Sequence, residues 1–255
     1  MEVKRKQAAT GKCKMNGNRG ESPEGREPLL PRHGGYRKLK SFQLAQLTYD
    51  VTVRFCGRYI GRGQRRMQEQ WVQAARSGVQ NIAEGSQASS TSKKTELKLT
   101  NVARASLEEL RLDYEDFLRQ RGLALWGPEH PALKRFKARR CASVEEFKAW
   151  VDDERALAKA TRTTTDEHRL TRTKTETDTG PTRKTKHSEL SVSVRVGPCS
   201  SVPSSAEIAA NGALSLLNLC CYLLDRQISV LAAKFEQEGG FSERMNRIRR
   251  DRRGY

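Results

Sequence analysis

One stretch, QWVQAARSGVQNIAEGS at residues 70–86, constrains the fold more than any other part of the chain. Small and apolar residues recur in it at steps of three and four, the spacing of one helix face: Trp71, Ala75, Gly78 and Ile82. Glycine costs about 1 kcal/mol relative to alanine inside a helix, so Gly78 needs a packing reason. We interpret Gly78, with Ala74 and Ala75 beside it, as a site of close helix packing where leucine would overpack.

The same spacing predicts helices on both sides of this stretch. The first runs from about 36 to 61, the second from about 66 to 85, and the third from the N-cap Ser92 to about 120. A shorter helix over about 143–160 begins with the capping box SVEE, and we interpret it as accessory. The cleanest pattern is a heptad seam over 205–238, which Gly239 and Gly240 end.

These patterns predict an all-α fold, an antiparallel four-helix bundle with a disordered N-terminus and a disordered Thr-rich insert. Either 205–238 or 143–160 supplies the fourth helix, and the longer seam favours 205–238. Along the chain, we predict a basic disordered segment over 1–34 and helices one to three of the bundle over 35–122. A loop and the accessory helix follow over 123–160, and the Thr-rich linker occupies 161–204. The suffix over 205–255 contains the long helix and a basic tail.

The charge balance points to a polyanionic partner. The 255 residues include 48 Lys and Arg against 30 Asp and Glu, a formal net charge of +18. A surplus of this size is typical of proteins that bind nucleic acid, although a basic surface without that role has the same composition. We expect no membrane partner, because the chain has no run of about 18 apolar residues. Six cysteines without a CxxC pair, and no signal peptide, indicate a cytoplasmic protein.

Basic residues cluster at three places in the pattern of helices. One cluster precedes the second helix, one opens the third helix, and one lies in the tail. Clustered cations contact phosphates without reading base sequence, and a solvated helix end is the alternative interpretation. The candidate nucleic-acid-binding residues are Arg62, Arg65, Arg66, Lys93, Lys94, Lys98, Arg244, Arg247, Arg249 and Arg250. Aromatic residues make up only 6% of the chain and do not interleave with these bases, so we expect no stacking platform for single strands.

Polar residues beside the small-residue seam predict a cross-helix hydrogen-bond network, since such groups cost about 1–3 kcal/mol when buried without partners. We expect Arg76 to pair with Glu108 or Glu109, and Asn81 with Asn101 or Arg104. Glu84 lies beside the same seam and belongs to the predicted network.

An enzymatic role is the third possibility. Glu109, Asp113 and Asp116 share one helix face, which invites a metal or nuclease interpretation. The chain, however, has no Glu-x-x-His pair, P-loop, GxSxG or HExxH motif. We therefore predict no catalytic residues, no metal and no cofactor, with these carboxylates paired to Arg and Lys on neighbouring helices or subunits.

Two linked motifs, QxxxAARSGxQNIAEG and LxxVARxSLEEL, occur within residues 70–110. In them the chain resembles the four-helix bundle proteins first noticed in intervening sequences of bacterial 23S ribosomal RNA genes, a family that includes the accessory protein of diversity-generating retroelements. The resemblance covers about residues 36–122, and the last 50 residues resemble the suffix region of some members. It implies a homopentameric ring whose retroelement members have a basic surface and act with a reverse transcriptase and its template RNA. The Thr-rich insert departs from the family pattern.

Together these observations predict a non-enzymatic, oligomeric accessory protein that binds RNA or RNA/DNA through the phosphate backbone. The alternative is a protein–protein assembly or scaffold factor for a partner enzyme such as a reverse transcriptase. Binding through phosphates weakens steeply as salt rises, and a packed protein interface weakens much less.

Overall fold

The computed structural model describes residues 34–172 and 202–253 of the chain, and over these residues it is all-helical, with no strand. The helices are α1 (Lys40–Tyr59), α2 (Arg65–Ala88), α3 (Lys93–Gln120), α4 (Pro131–Arg139), α5 (Val144–Arg172), α6 (Ser205–Glu238) and α7 (Phe241–Arg253). The predicted disordered segment over 1–33 and the linker over 173–201 lie outside the described residues.

Helices α2 and α3 pack in close antiparallel contact, because Gly78 has no side chain at the point where they meet. A Cβ atom on Gly78 would lie 2.6 Å from Cδ2 of Leu107, which is fully buried on α3. One heptad further along α2, a Cβ on Gly85 would meet the backbone oxygen of Glu96 at 3.3 Å. Ala74 and Ala75 are buried on the same face, which confirms the predicted close packing.

Helix α6 packs against both α1 and α3 and runs antiparallel to α3. Arg104 pairs with Asp225 at 3.3 Å, and Arg111 donates a hydrogen bond to Asn218 at 3.5 Å. The later residue of α3 thus meets the earlier residue of α6, so the two helices run in opposite directions. On the α1 side, Ser41 Oγ donates to Gln227 Oε1 at 3.1 Å. The long helix over 205–238 therefore contacts α1 and α3, as the heptad seam predicts.

A cluster of aromatic rings joins α1, α2 and α3 at the end where α1 stops. Phe55 packs edge-on against Tyr114 and Phe117, each with ring centroids 4.9 Å apart, and Trp71 packs against Tyr114 at 4.8 Å. The buried Tyr114 hydroxyl is satisfied by Thr52 Oγ1 at 3.2 Å. Such edge-to-face pairs contribute roughly 0.5–1.5 kcal/mol each beyond area burial.

Helices α4 and α5 form a smaller layer beside the N-terminal part of α6. A Cβ on Gly212 of α6 would lie 2.5 Å from the Trp150 ring and 3.0 Å from Phe147, so this glycine lets α5 approach. Glu154, 7% exposed, accepts two hydrogen bonds from Arg135 of α4 at 2.7 and 2.6 Å. This bidentate pair fixes α4 against α5.

The helical extent of this layer differs from the prediction in two ways. The sequence predicts a loop before about 143, but α4 occupies Pro131–Arg139, because a proline at the first helical position is compatible with a helix start. Helix α5 also continues to Arg172, past the predicted end near 160 and into the Thr-rich stretch. Thr161 Oγ1 bonds to the Leu157 carbonyl at 2.9 Å, so its hydroxyl is bonded to the helix backbone itself.

Helix α6 is the most apolar element, and its cysteines are buried. An 18-residue window within Ser205–Gln237 has a mean hydropathy of 1.4, enough to cross a membrane by length and composition. This corrects the expectation that no part of the chain is so apolar. Because 67% of the window is buried against the other helices, α6 fits the core helix of a globular protein. Cys220 and Cys221 are small core residues as predicted, and Cys220 Sγ lies 3.4 Å from the Ser41 carbonyl oxygen.

Replacing Gly78 should weaken the fold. We expect Gly78→Ala to lower the free energy of unfolding by roughly 1 kcal/mol, because overpacking against Leu107 costs about 1–3 kcal/mol and the gain in helix propensity returns about 1. Gly78→Leu should lower it further. Urea denaturation followed by circular dichroism measures both changes.

Gly57 offers a matched control, since it lies in α1 and a Cβ placed on it would meet nothing within 4 Å. Gly57→Ala should leave stability unchanged or raise it by up to about 1 kcal/mol. Equal effects of the alanine substitutions at 57 and 78 would contradict the close-approach explanation.

Candidate phosphate-binding site

The turn between α2 and α3 is built from four consecutive hydroxyl residues, Ser89–Ser92. Ser92 is the N-cap of α3, and its Oγ accepts a hydrogen bond from the backbone N–H of Thr95 at 3.1 Å. Ser89 Oγ donates to the Ser86 carbonyl at 2.8 Å, and Thr91 Oγ1 to the Ala88 carbonyl at 3.3 Å. Three of the four hydroxyls therefore hold the turn itself.

The start of α3 leaves backbone donors beside this turn. The first N–H groups of a helix have no partner within it, and here the N–H groups of Thr95 and Glu96 bond to Ser92. The N–H groups of Lys93 and Lys94 remain at the positive end of a 28-residue helix. This end of α3 is electrostatically suited to an anion.

The start of a second helix, α7, lies beside the same turn. After α6, Gly239 takes a φ of +71°, a left-handed conformation that favours glycine, and α7 begins two residues later. The side chain of Glu243 lies against Gly239 and Gly240, and Ile248 is buried at 4% exposure. Arg244 and Arg247 of α7 line the same cavity as residues of the turn.

Together these elements line an open cavity of about 410 Å³. Its walls are the α2–α3 turn, the Gly239–Gly240 link and the first turns of α7. The basic residues that line it are Lys93, Arg244 and Arg247. Lys93 Nζ also pairs with Glu96 at 3.2 Å, whereas Arg244 and Arg247 come from a different element, α7.

The predicted nucleic-acid-binding residues fall at two ends of the molecule. Lys93, Arg244 and Arg247 meet at the cavity, and four more are exposed on α3 and α7 around it: Lys94, Lys98, Arg249 and Arg250. Arg65 and Arg66 lie at the opposite end of α2, whose 24 residues span about 35 Å. The side chain of Arg62 lies outside the described residues.

In comparisons with known proteins, the chain matches no family model, no curated protein and no solved structure.

Among the described residues, the hydrogen bonds between α2 and α3 differ from those of the predicted cross-helix network. Asn81 Nδ2 bonds to the Ser77 carbonyl at 2.8 Å rather than to Asn101 or Arg104, and Ser77 Oγ meets Ser106 Oγ at 2.9 Å across the helices. The prediction paired the wrong residues, because rotation of α2 about its own axis turns the serine and not the asparagine toward α3.

The charged members of the predicted network also differ from the prediction. Arg104 pairs with Asp225 of α6, and Glu108 pairs with Arg111 on α3 itself at 2.7 Å. Arg76 and Glu109 are exposed and form no ion pair with each other in the described part of the chain. Glu84 and Asn101 are exposed as well, so they are solvated rather than part of a buried network.

The acidic face of α3 has unusual electrostatics. Burial raises the pKa of Asp113 from 3.8 to about 6, and the charges of Glu109 and Asp116 contribute to the same rise. Among the described residues no group of three or more His, Cys, Asp or Glu is arranged to hold a metal ion. The raised pKa of Asp113 links this face to stability.

The raised pKa of Asp113 predicts a pH-dependent stability. Because the folded state favours the protonated carboxyl, Asp113 stabilises the fold fully below pH 4, and this contribution is lost as pH rises through about 6. Asp113→Asn should therefore raise the free energy of unfolding at pH 7 by roughly 1 kcal/mol, since the carboxyl is only half-buried and solvent screens it. The gain should vanish at pH 4.

Denaturation at pH 4 and pH 7 measures this difference. Asp153→Asn is the matched control, because Asp153 is exposed, pairs with Arg139 at 2.6 Å and lies on another helix, away from Asp113. A gain from Asp113→Asn that is equal at both pH values would contradict the assignment.

Proposed function

We propose that this protein is a non-enzymatic, cytoplasmic, oligomeric accessory factor that binds RNA or RNA/DNA through phosphate contacts. The proposal depends on one observation above all. Lys93 and the pair Arg244 and Arg247, which are separated by some 150 residues of sequence, line a single cavity. Cations brought together from separate elements at the start of a helix make a phosphate site that needs no base contacts.

The exposed bases around the cavity extend this site into a wider positive surface. Lys94 and Lys98 project from α3, and Arg249 and Arg250 from α7, all exposed. Each phosphate contact releases counterions, so several such contacts give affinity that depends strongly on salt. The end of α2 with Arg65 and Arg66 lies about 35 Å away and is a separate basic surface.

We further propose that α1, α2, α3 and α6 form an antiparallel four-helix bundle of the kind that the QNIAEG and SLEEL motifs resemble. The contacts of α2 with α1 and α3, and of α6 with α1 and α3, support this arrangement. The resemblance would then imply a homopentamer, which repeats the basic surface and raises avidity for a long polyanion. Metal, cofactor and catalytic residues have no part in this proposal.

Loss of the two cavity arginines should weaken RNA binding. For the double variant Arg244→Gln/Arg247→Gln we expect at least a roughly tenfold loss of affinity for a structured RNA at low salt, and a salt dependence shallower by about 0.7–0.9 per lost phosphate contact. Fluorescence anisotropy over a range of salt concentrations measures both quantities.

The matched control is Arg65→Gln/Arg66→Gln, which removes the same charge at the far end of α2. A loss of affinity as large as that of the cavity variant would show that overall charge, and not the cavity, determines binding.

A protein partner is the second candidate, favoured by an open groove on another face. The groove, of about 680 Å³, lies between α6 and the segment that follows α3, and Leu125, Leu219 and Tyr222 stand exposed along it. Exposed apolar residues gathered in one place are typical of protein interaction sites. In this alternative the groove would receive a partner enzyme such as a reverse transcriptase.

The mass of the purified protein separates these possibilities. We expect light scattering to give a mass near five subunits that increases with a structured RNA at low salt and not at moderate salt. A monomer that is indifferent to RNA would exclude both the ring and the nucleic-acid proposal and leave the groove as the site to pursue.

A further inference from the structure

A narrow cleft lies between α1 and α5 and shares no lining residue with the cavity at the α2–α3 turn. Its inner wall is apolar, with Val51 and Phe55 from α1, Phe147 and Val151 from α5, and Ala209 from α6. Residues four apart lie on one face of a helix. Helices α1 and α5 therefore present apolar faces to each other, and the α1–α5 cleft is the space that their side chains leave open.

The rim of the α1–α5 cleft is basic. Arg54 and Arg58 lie one turn apart on α1, Lys148 lies on α5, and all three are exposed. They form no ion pair within the described part of the chain, and the Arg58 guanidinium lies 5.7 Å from the centre of the Tyr59 ring. The lining includes one acid, Asp152, so the rim has a surplus of two positive charges. An anionic ligand would therefore match this rim.

The size of the cleft limits the apolar group that can enter it. Its volume is about 40 Å³, whereas a cavity that binds benzene has about 150 Å³. This space suits the branched end of a leucine or valine side chain and is too small for an aromatic ring or a long acyl chain. A sugar–phosphate backbone has no aliphatic group to place there, so the cleft favours a polypeptide over a nucleic acid.

The strength of these contacts favours a segment of a larger partner over a free small acid. Burial of one such side chain strengthens binding by a factor of roughly 10–100. Each exposed ion pair adds a factor of about five at most. Association costs would leave a small carboxylic acid weakly bound with contacts of this size, but a longer chain adds further contacts beside its anchor.

We propose that the α1–α5 cleft binds an acidic segment of a protein partner. One leucine or valine side chain enters the cleft, and the carboxylates that flank it in the partner pair with Arg54, Arg58 and Lys148. A helix laid between α1 and α5 presents an apolar anchor and acidic residues three or four positions away on one face. This site is independent of the proposed nucleic-acid function.

Three synthetic peptides of about a dozen residues test the proposal with the full chain. The first has one leucine between glutamates, the second has alanine in place of the leucine, and the third has glutamines in place of the glutamates. In fluorescence anisotropy, we expect the second and third to bind roughly tenfold more weakly than the first. Equal binding of the first two peptides, or no binding of the first at about 1 mM protein, would overturn the proposal.

Two variants of the protein test the rim and the cleft separately. Arg54→Gln/Arg58→Gln should weaken the leucine peptide by roughly threefold to tenfold, since both side chains are exposed. Val144→Phe fills the mouth of the cleft and should reduce the leucine peptide to the affinity of the alanine peptide. The matched control is Arg249→Gln/Arg250→Gln, which removes the same charge from α7. Thermal melting checks that all three fold, and an equal loss in the control would contradict a site at the cleft.

Other occupants of the cleft give different results in the same assays. If Arg54→Gln/Arg58→Gln weakened a hairpin RNA and not the leucine peptide, the rim would belong to a nucleic-acid surface and the proposal would be wrong. If the leucine peptide lowered the mass of the protein in light scattering, the cleft would be an interface between copies of this chain. Full competition by 4-methylpentanoate at the concentration of the peptide would assign the cleft to a small acid. We expect none of these results.

Discussion

The contact between Gly78 and Leu107 sets the distance between α2 and α3, and much of the molecule depends on that distance. With no Cβ at Gly78, the Leu107 side chain occupies the space that any other residue would fill. The two helices are still in close contact at Gly85, which lies against the backbone of the first turn of α3. Because α2 ends three residues later and leads into the Ser89–Ser92 turn, the same packing fixes where the N-terminus of α3 points. A core contact therefore positions the candidate site at the far end of the same helix pair.

A second glycine has the equivalent role on the other side of the molecule. Gly212 lets the Trp150 ring reach the backbone of α6, and the layer of α4 and α5 is attached there. Two seams of close packing thus join α2 to α3 and α5 to α6, each through a residue that contributes no side chain. Interiors are packed as densely as organic crystals, so a single added methyl group is felt at either seam.

The helices were predictable where one face is continuously apolar. The stripe with Trp71 and Ile82 is buried on α2, and the seam through Leu217 and Leu224 is buried on α6. The pattern failed at Pro131, where a proline starts a helix rather than belonging to a loop. It also failed for the pairing of polar side chains. Periodicity identifies which face of a helix is apolar, but it does not give the rotation and offset of two helices on which the Ser77–Ser106 contact depends.

The basic residues of the site could be predicted from the sequence, but their arrangement in space could not. The basic residues stood out by composition, yet only the fold brings Arg247 next to Lys93 and separates both from Arg65. Sequence reasoning missed the cavity itself, because it exists only where the start of α7 lies beside the Ser89–Ser92 turn. The SSTSKK sequence at the start of α3 was the available signal, since hydroxyls followed by lysines are common where a helix begins near an anion.

The four described cysteines are unpaired and buried, so their reactivity reports on the separation of the helices around them. Burial raises the pKa of Cys56 and of Cys221 to about 12, and the charge of Asp113 adds to the effect at Cys56 and that of Glu108 at Cys221. Thiols react as thiolates, so these groups are inert while the helices stay closed. Their modification must await an opening, and Cys141 lies beside α4 whereas Cys220 lies between α6 and α1. The order in which a thiol reagent labels them would therefore reveal whether the α4–α5 layer separates before the long helix leaves its partners.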